Sequence, residues 1–203
     1  MLIAIDGRTS LRLLDEPDAE ALFALVDGNR AYLRQWLPWL DQNTCLAHTR
    51  AFIVSAHRQL ADSNGFSCGL WHNGTLTGVV GLHAIDWTNR RTSLGYWIAE
   101  RFQGRGLIST ACTVLLDHLF GELRLHRVEI SCAVENKKSR AVPERLGFTS
   151  EGVSRQREWL YDHFVDHVIY GLLAREWRGA AAFRSPEEAL AAGSRRESRP
   201  DGR

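Results

Sequence analysis

The sequence predicts an α+β fold, in which a mostly antiparallel sheet is flanked by helices. Two observations carry this prediction. The apolar residues follow a helical spacing up to about residue 61 and a two-residue alternation from Phe66 onward. The order of segments is also irregular, because helices come first, antiparallel strands follow, and strands and helices then alternate before a terminal hairpin. A doubly wound sheet would alternate throughout.

The first part of the chain predicts one extended run and three helices. Residues 9–14 are extended, and residues 15–28 begin with acidic residues and a proline, which is typical of a helix start. A short helix at residues 29–36 ends before a proline that interrupts the pattern. Thr44 is the predicted N-cap of a longer helix that ends near residue 61.

The middle of the chain predicts three antiparallel strands. Residues 66–71 and 76–83 alternate between apolar and polar positions on either side of Asn73-Gly74. Asn-Gly between two extended runs is a strong signal for a tight hairpin. A third strand is expected at residues 92–98.

The remaining segments alternate before they close with a second hairpin. A glycine-rich turn leads into a helix at residues 106–119 that has one apolar stripe. A strand at residues 128–134 and a helix at residues 137–146 follow. Two long extended runs, residues 148–160 and 163–173, form the terminal pair. We expect residues 1–178 to be one domain and residues 179–203, rich in Ala, Gly, Ser and Arg, to be a flexible tail.

Composition and charge limit the functional classes. The 203 residues carry 25 Lys and Arg against 24 Asp and Glu, a formal net charge of +1. Direct nucleic-acid binding is not expected, because it depends on a concentrated positive field. The four cysteines are scattered, and no apolar run approaches a membrane span or a signal peptide. We therefore expect a cytoplasmic protein with reduced thiols and no membrane contact.

A glycine pair before the helix at residues 106–119 indicates an anion site. Gly104 and Gly106 allow the backbone to approach a ligand, and the helix N-terminus favours negative charge. Arg101 and Arg105 add positive charge, so the turn suits a pyrophosphate. The spacing is neither a P-loop nor a dinucleotide fingerprint. Alone, the pair is more typical of a plain turn, so the interpretation depends on a second block.

That second block gives the sequence a family resemblance. The motifs are Arg101-x-x-Gly104-x-Gly106, Asn136-x-x-Ser139 and Leu146-Gly147-Phe148. With them the sequence resembles the GCN5-related N-acetyltransferase (GNAT) superfamily over residues 8–177. It looks most like the branch that acetylates ribosomal-protein N-termini on serine or alanine. The segments similar to that branch are Trp36-Leu37-Pro38-Trp39, the stretch around Tyr96-Trp97, and residues 158–170.

The resemblance implies a central sheet whose strands at residues 92–98 and 128–134 splay apart, with acetyl-CoA as co-substrate between them. The diphosphate is expected on the glycine turn and the pantetheine arm on Asn136. A backbone N–H of Trp97 or Ile98 is expected to polarise the thioester carbonyl. The implied cofactor-binding residues are Trp97, Ile98, Gln103, Gly104, Arg105, Gly106, Leu107, Ile108, Ser109, Thr110 and Asn136.

Two residues are candidates for acid–base catalysis. Glu158 lies where the resembled branch has its glutamate and is the expected base, although a surface pair with Arg155 or Arg157 explains it equally simply. Many GNAT enzymes carry a donor tyrosine in the helix before Leu-Gly-Phe, and here that position is Pro143. Ser139 is the branch's alternative acid, although it can also serve only as a helix cap.

Other side chains have both functional and structural interpretations. Trp36 and Trp39 are expected at the acceptor site with Tyr96, or act only as core anchors. The histidines in Asp162-His163-x-x-Asp166-His167 resemble metal ligands, but on a strand Asp166 faces away from them, so no metal is expected. Cys112 and Cys132 fall on apolar faces and are expected to be core residues rather than nucleophiles.

The leading functional hypothesis is an acetyl-CoA-dependent N-acetyltransferase that acts on a protein N-terminal α-amine by direct attack in a ternary complex. The first alternative is acetylation of a small amine, such as an antibiotic, an aminoacyl-nucleotide or a polyamine. The second is a non-catalytic acyl-CoA-binding module, which Pro143 favours and an intact Glu158 and Ser139 disfavour. The resembled branch also implies a homodimer.

Overall fold

The computed structural model describes residues 2–179, so the predicted tail lies outside the described residues apart from Gly179. The strands are β1 (Leu2–Ala4), β2 (Thr9–Leu13), β3 (Ser67–His72), β4 (Thr75–Leu82), β5 (Arg91–Ile98), β6 (Arg127–Ala133), β7 (Thr149–Leu160) and β8 (His163–Leu173). The helices are α1 (Ala19–Asp27), α2 (Arg30–Leu33), α3 (Leu46–Ala61), α4 (Leu107–Gly121) and α5 (Lys137–Arg145). None of the helices within residues 2–179 is both long enough and apolar enough to cross a membrane.

The elements confirm the predicted α+β class, with two local differences. Residues 2–4, where the sequence predicts no element, form a strand, β1, which pairs antiparallel with β2. The cap predicted at Thr44 is wrong, because Cys45 is the extended residue before α3 and Thr44 lies one position too early. The Asn73-Gly74 hairpin is confirmed, and both turn residues have positive φ, 50° and 73°.

All eight strands of the described region form one sheet in the order β1-β2-β3-β4-β5-β6-β8-β7. Every neighbouring pair is antiparallel except β5 and β6, which run parallel. The parallel pair joins the N-terminal half of the sheet to its C-terminal half. The site described below lies at this junction.

The helices cover the sheet from two sides. Helices α4 and α5 pack on one face, where Leu115 and Leu116 of α4 belong to the same main core as Val128 and Ile130 of β6. A second core forms on the opposite face of the N-terminal half, where α1 packs on β4 and α3 packs on α1. Alternate residues of β6 and β8 point away from α5, so the C-terminal half has a second face of its own.

Candidate active site

Strands β5 and β6 separate soon after they begin. They pair only at Arg91–Arg127, Thr92–Val128 and Ser93–Glu129. Beyond these positions β5 continues to pair with β4 as far as Ile98, and β6 continues to pair with β8 as far as Ala133. The two strands therefore leave a wedge-shaped gap between them, as the family resemblance implied.

A cavity of about 500 Å³ opens at this gap. It brings together residues from α2, β5, the glycine turn, and the start of α4 and α5. The predicted residues that line it are Trp36, Tyr96, Trp97, Ile98, Gln103, Gly104, Arg105, Gly106, Leu107, Ile108, Ser109, Asn136 and Ser139. Thr110, Trp39 and Glu158 are outside this lining. Thr110 instead donates from its hydroxyl to the Gly106 carbonyl.

The glycine turn has the backbone geometry of an anion cradle. Gly104 and Gly106 both adopt left-handed conformations, with φ of 72° and 74°, and Gly106 immediately precedes α4. A Cβ added at either position would meet no atom within 4 Å. The first N–H groups of α4 have no intrahelical acceptor and lie at the positive end of the helix dipole. The turn therefore presents free donors and open space for a phosphate group.

The charge of the cavity is one-sided. Arg105, Lys138 and Arg145 line it, and no carboxylate among the described residues does. The Arg145 guanidinium donates to Ser109 Oγ at 2.9 Å, which holds it beside the start of α4. The Lys138 ammonium donates to Gln103 Oε1 at 2.9 Å. These cationic side chains suit a polyanionic ligand.

Sequence reasoning missed Lys138 and Arg145. Together with Val142 they recur at four- and three-residue intervals along α5, so they share one face of that helix. Ser139 had already been assigned to the same site. The helical spacing around Ser139 could therefore have identified Lys138 and Arg145 as residues of the site.

The backbone of β5 distinguishes between Trp97 and Ile98. The Ser93 carbonyl accepts from His83 N, and Ala99 N donates to Thr77 O, so these odd-numbered positions face β4. Peptide groups alternate in direction along a strand. Trp97 therefore faces β4 as well, and the N–H of Ile98 faces the gap. Ile98 is the better-placed oxyanion donor of the two.

Asn136 caps α5 and leaves Ser139 available. The Asn136 Oδ1 accepts the backbone N–H of Ser139 at 3.1 Å, so the cap is the asparagine and not the serine. Ser139 Oγ lies 3.2 Å from Cys132 Sγ and 3.4 Å from the Tyr96 hydroxyl. The Ser139 hydroxyl therefore lines the cavity without serving as the helix cap.

Tyr96 compensates for the proline inside α5. Pro143 has no N–H, so the carbonyl of Ser139 four residues earlier loses its helical donor. The Tyr96 hydroxyl donates to that carbonyl at 2.9 Å. Burial raises the pKa of Tyr96 well above its ordinary value, which keeps this donor protonated. Tyr96 thus lines the cavity and also holds the backbone of Ser139 in place.

We expect Tyr96→Phe to lower the free energy of unfolding by about 1–3 kcal/mol, because it leaves the Ser139 carbonyl unsatisfied. In a Pro143→Ala background the restored N–H supplies a donor, so the same change should cost clearly less. Urea unfolding of the four proteins in this double-mutant cycle measures the difference. Equal costs in both backgrounds would contradict the assigned contact.

A separate group of polar residues occupies the face of β6 that points away from α5. Cys132 faces Ser139 and α5, whereas its neighbour Ser131 faces the opposite side. Ser131 Oγ lies 2.9 Å from His167 Nδ1, and His167 Nε2 lies 3.4 Å from Glu158 Oε2. The basic side chain beside Glu158 is thus His167, and not Arg155 or Arg157. Glu158 and Ser139 lie on opposite sides of β6.

The loop at residues 36–40 is fastened to the hairpin between β7 and β8. The Tyr161 hydroxyl donates to the Leu37 carbonyl and accepts from the backbone N–H of Leu40. The Trp39 ring packs against the Trp97 ring, with centroids 6.3 Å apart. The two tryptophans therefore have different positions. Trp36 lines the cavity, and Trp39 packs against Trp97 of β5.

The remaining candidates have structural contacts. Burial raises the pKa of Cys112 to about 12 and also raises the pKa of Cys132, so both thiols stay protonated in the core. His163 pairs with Asp162, while His167 pairs with Glu158. Within residues 2–179 no cluster of three or more metal-binding side chains is present.

Comparison with known proteins identifies the family of the chain. A family model described as an acetyltransferase (GNAT) domain matches residues 8–149. The chain belongs to the GNAT acetyltransferase family. The chain is 43% identical to the putative ribosomal N-acetyltransferase YdaF of Bacillus subtilis over 177 residues, which cover 86% of this chain and 96% of the relative.

Two solved acetyltransferase structures with coenzyme A or acetyl-CoA bound resemble this one. RimL, a ribosomal L7/L12 α-N-protein acetyltransferase in complex with coenzyme A, has a TM-score of 0.82 and 30% identity, covering 85% of this chain and 98% of RimL. The microcin C7 self-immunity acetyltransferase MccE, in complex with acetyl-CoA and AMP, has a TM-score of 0.81 and 27% identity, covering 84% and 95%.

The GNAT assignment makes this chain an N-acetyltransferase that uses acetyl-CoA as co-substrate. The cavity fits the polar half of that molecule. Two left-handed glycines open a cradle that a Cβ would fill, and three cationic side chains surround it with no carboxylate among the described lining residues. Both properties are what a diphosphate requires.

Proposed function

We propose that this GNAT enzyme transfers the acetyl group of acetyl-CoA to a protein N-terminal α-amine, by direct attack in a ternary complex. The observation that carries the proposal is the two-sided construction of the gap between β5 and β6. The cationic cavity and Ser139 lie on the α5 side, and the carboxylate of Glu158 lies on the other side of β6. A cofactor and an acceptor can thus approach the same gap from different directions.

The chemistry requires a neutral amine, a stabilised oxyanion and a proton for the departing thiolate. An α-amine has a pKa of about 7.7–8.0, so roughly 10–20% of it is neutral near pH 7. Glu158, whose side chain is 32% exposed, is the proposed base that accepts the remaining proton through water. The N–H of Ile98 is the proposed oxyanion donor, and Ser139 relays a proton to the thiolate.

The charges around the proposed acceptor loop favour a singly charged acceptor. Arg34 and Asp41 form a two-point ion pair with distances of 2.9 and 2.8 Å, and Arg30 donates to two loop carbonyls. Asp41 is thus paired with Arg34, so this loop carboxylate is not free to bind a polyamine. One carboxylate, Glu158, suits one α-ammonium. The named activity of RimL and the name of YdaF point in the same direction.

A small amine remains the second candidate, because the similar structure MccE was solved with acetyl-CoA and AMP. The two candidates differ in what extends beyond the amine. A panel of short peptides with free N-terminal serine or alanine, an aminoacyl-nucleotide, an aminoglycoside and spermidine separates them. We expect kcat/KM to be highest for a peptide. A preference for the nucleotide or the antibiotic by tenfold or more would reject the proposed acceptor class.

We also propose that the enzyme is a homodimer, as its branch resemblance implies. Strand β7 is the edge of the described sheet and carries the exposed Val153 and Trp159. Light scattering at micromolar concentration should give twice the mass of the chain. A monomeric mass over that range would contradict this assembly.

A further inference from the structure

His167 of β8 is a buried imidazole with a polar side chain beside each of its two nitrogens. The residue is 8% exposed, and it lies between Ser131 of β6 and Glu158 of β7. Its Nδ1 contacts Ser131 Oγ at 2.9 Å. Its Nε2 has no hydrogen-bond partner within residues 2–179, although it lies 3.4 Å from Glu158 Oε2. A buried polar nitrogen in this state calls for an explanation.

The local strand geometry places this nitrogen beside Glu158. The pairing of β7 with β8 is irregular between Ser154 and Glu158, where three residues of β7 stand against one residue of β8 and the extra residues form a bulge. After the bulge Glu158 stands opposite Val165, so it shares a face with His167 two residues further along β8. The bulge thus brings a carboxylate beside a histidine that the chain buries.

The neighbours also select one tautomer of the imidazole. A carboxylate near Nε2 favours the form in which Nε2 carries the proton. Nδ1 is then an acceptor, and the Ser131 hydroxyl can donate to it. Ser131 therefore fixes the ring, and the ring presents an N–H to the carboxylate. The contact at 3.4 Å is longer than an ordinary N–H···O bond, so a small movement of the partly exposed Glu158 side chain completes it.

We propose that His167 is a positioning residue for the acetyl transfer, and that it acts by holding the Glu158 carboxylate in the orientation that accepts the acceptor's proton. The inference rests on the proposed role of Glu158 as base. His167 itself forms and breaks no covalent bond. The proton lost by the amine passes through water to Glu158, and the Nε2–H of His167 stabilises the carboxylate before that transfer.

Two substitutions at this position separate orientation from simple space filling. In His167→Asn the amide can replace Nδ1 toward Ser131 but cannot reach Glu158. In His167→Gln the amide nitrogen can take the place of Nε2 and donate to Glu158. We expect His167→Asn to lower kcat by about 10-fold to 100-fold with unchanged acetyl-CoA affinity, as when an orienting partner is lost. His167→Gln should recover most of that loss.

The double variant with Glu158→Gln provides the decisive comparison. If His167 acts through Glu158, His167→Asn should have no further effect on kcat in a Glu158→Gln background. Independent, multiplicative losses would show a structural role and overturn the inference, as would full activity of folded His167→Asn. If Glu158→Gln alone retains full activity, the proposed base fails and the inference falls with it, a result distinguishable from the others.

His163 offers a matched control on the same strand. Its side chain is 60% exposed, and its Nδ1 lies 2.6 Å from Asp162 Oδ1, so its ion-pair partner is Asp162 and not Glu158. His163→Asn should therefore leave kcat and KM unchanged. Circular dichroism melting of each variant establishes that the measured losses come from folded protein.

Discussion

Replacing Glu158 by glutamine is expected to lower kcat/KM by roughly 10²–10⁴-fold near pH 7, the usual contribution of a general base. Glutamine keeps the shape of the side chain but removes the charge that attracts a proton. Much of the loss should return as the pH rises above about 8, because the acceptor amine then deprotonates without help. Acetyl-CoA affinity should stay nearly constant, since Glu158 lies outside the cofactor cavity.

A second carboxylate on β7 supplies the control for this experiment. Glu151 pairs with Arg127, and it is also outside the cavity lining. Glu151→Gln should leave the rate unchanged at every pH. A pH–rate profile of Glu158→Gln that superimposes on the wild type would end the assignment of the base and leave positioning alone to explain catalysis.

Replacing Gly106 by valine is expected to weaken acetyl-CoA binding by an order of magnitude or more. The residue has φ of 74° immediately before α4, and its missing Cβ leaves open space where the phosphate is expected. A valine there strains the backbone by about 1–2 kcal/mol and fills the cradle at the helix N-terminus. Gly104→Val, with φ of 72°, should behave in the same way. Isothermal calorimetry measures the dissociation constant.

A substitution at Gly74 separates the effect of backbone strain from the effect of a blocked phosphate site. It has nearly the same φ, 73°, and equally open surroundings, but it lies in the hairpin between β3 and β4. Gly74→Val should lose similar stability while acetyl-CoA affinity stays at the wild-type value. Unchanged affinity in folded Gly106→Val and Gly104→Val would reject the glycine turn as the phosphate site.

Most of the fold could be predicted from local pattern. The two-residue alternation and Asn73-Gly74 gave the hairpin of β3 and β4, and the apolar stripe gave α4. Strand β1 was not predicted because three residues are too few to show a two-residue alternation. The N-cap of α3 was misplaced by one residue because Thr44 is a better capping residue than Cys45, and only the backbone angles distinguish them.

The cofactor side of the site was more predictable than the acceptor side. The glycine turn and Asn136-x-x-Ser139 are contiguous motifs, and both line the cavity. The contact of His167 with Glu158 depends on a bulge in β7, whose register no local pattern reveals. The pairing of Tyr96 with the carbonyl freed by Pro143 joins two elements that are far apart in sequence. Such contacts follow from the tertiary arrangement.

The proposed N-terminal acetylation is tested most directly by locating the acetyl group on a product peptide. The substrate is a short peptide that carries both a free N-terminal serine and an internal lysine, incubated with the enzyme and acetyl-CoA near pH 7 and sequenced by mass spectrometry. A second peptide, identical but blocked at its N-terminus, is the control. We predict one acetyl group on the N-terminal amine of the first peptide and no reaction of the second. Acetylation of the lysine in both peptides, with the free N-terminus unmodified, would contradict the proposed function.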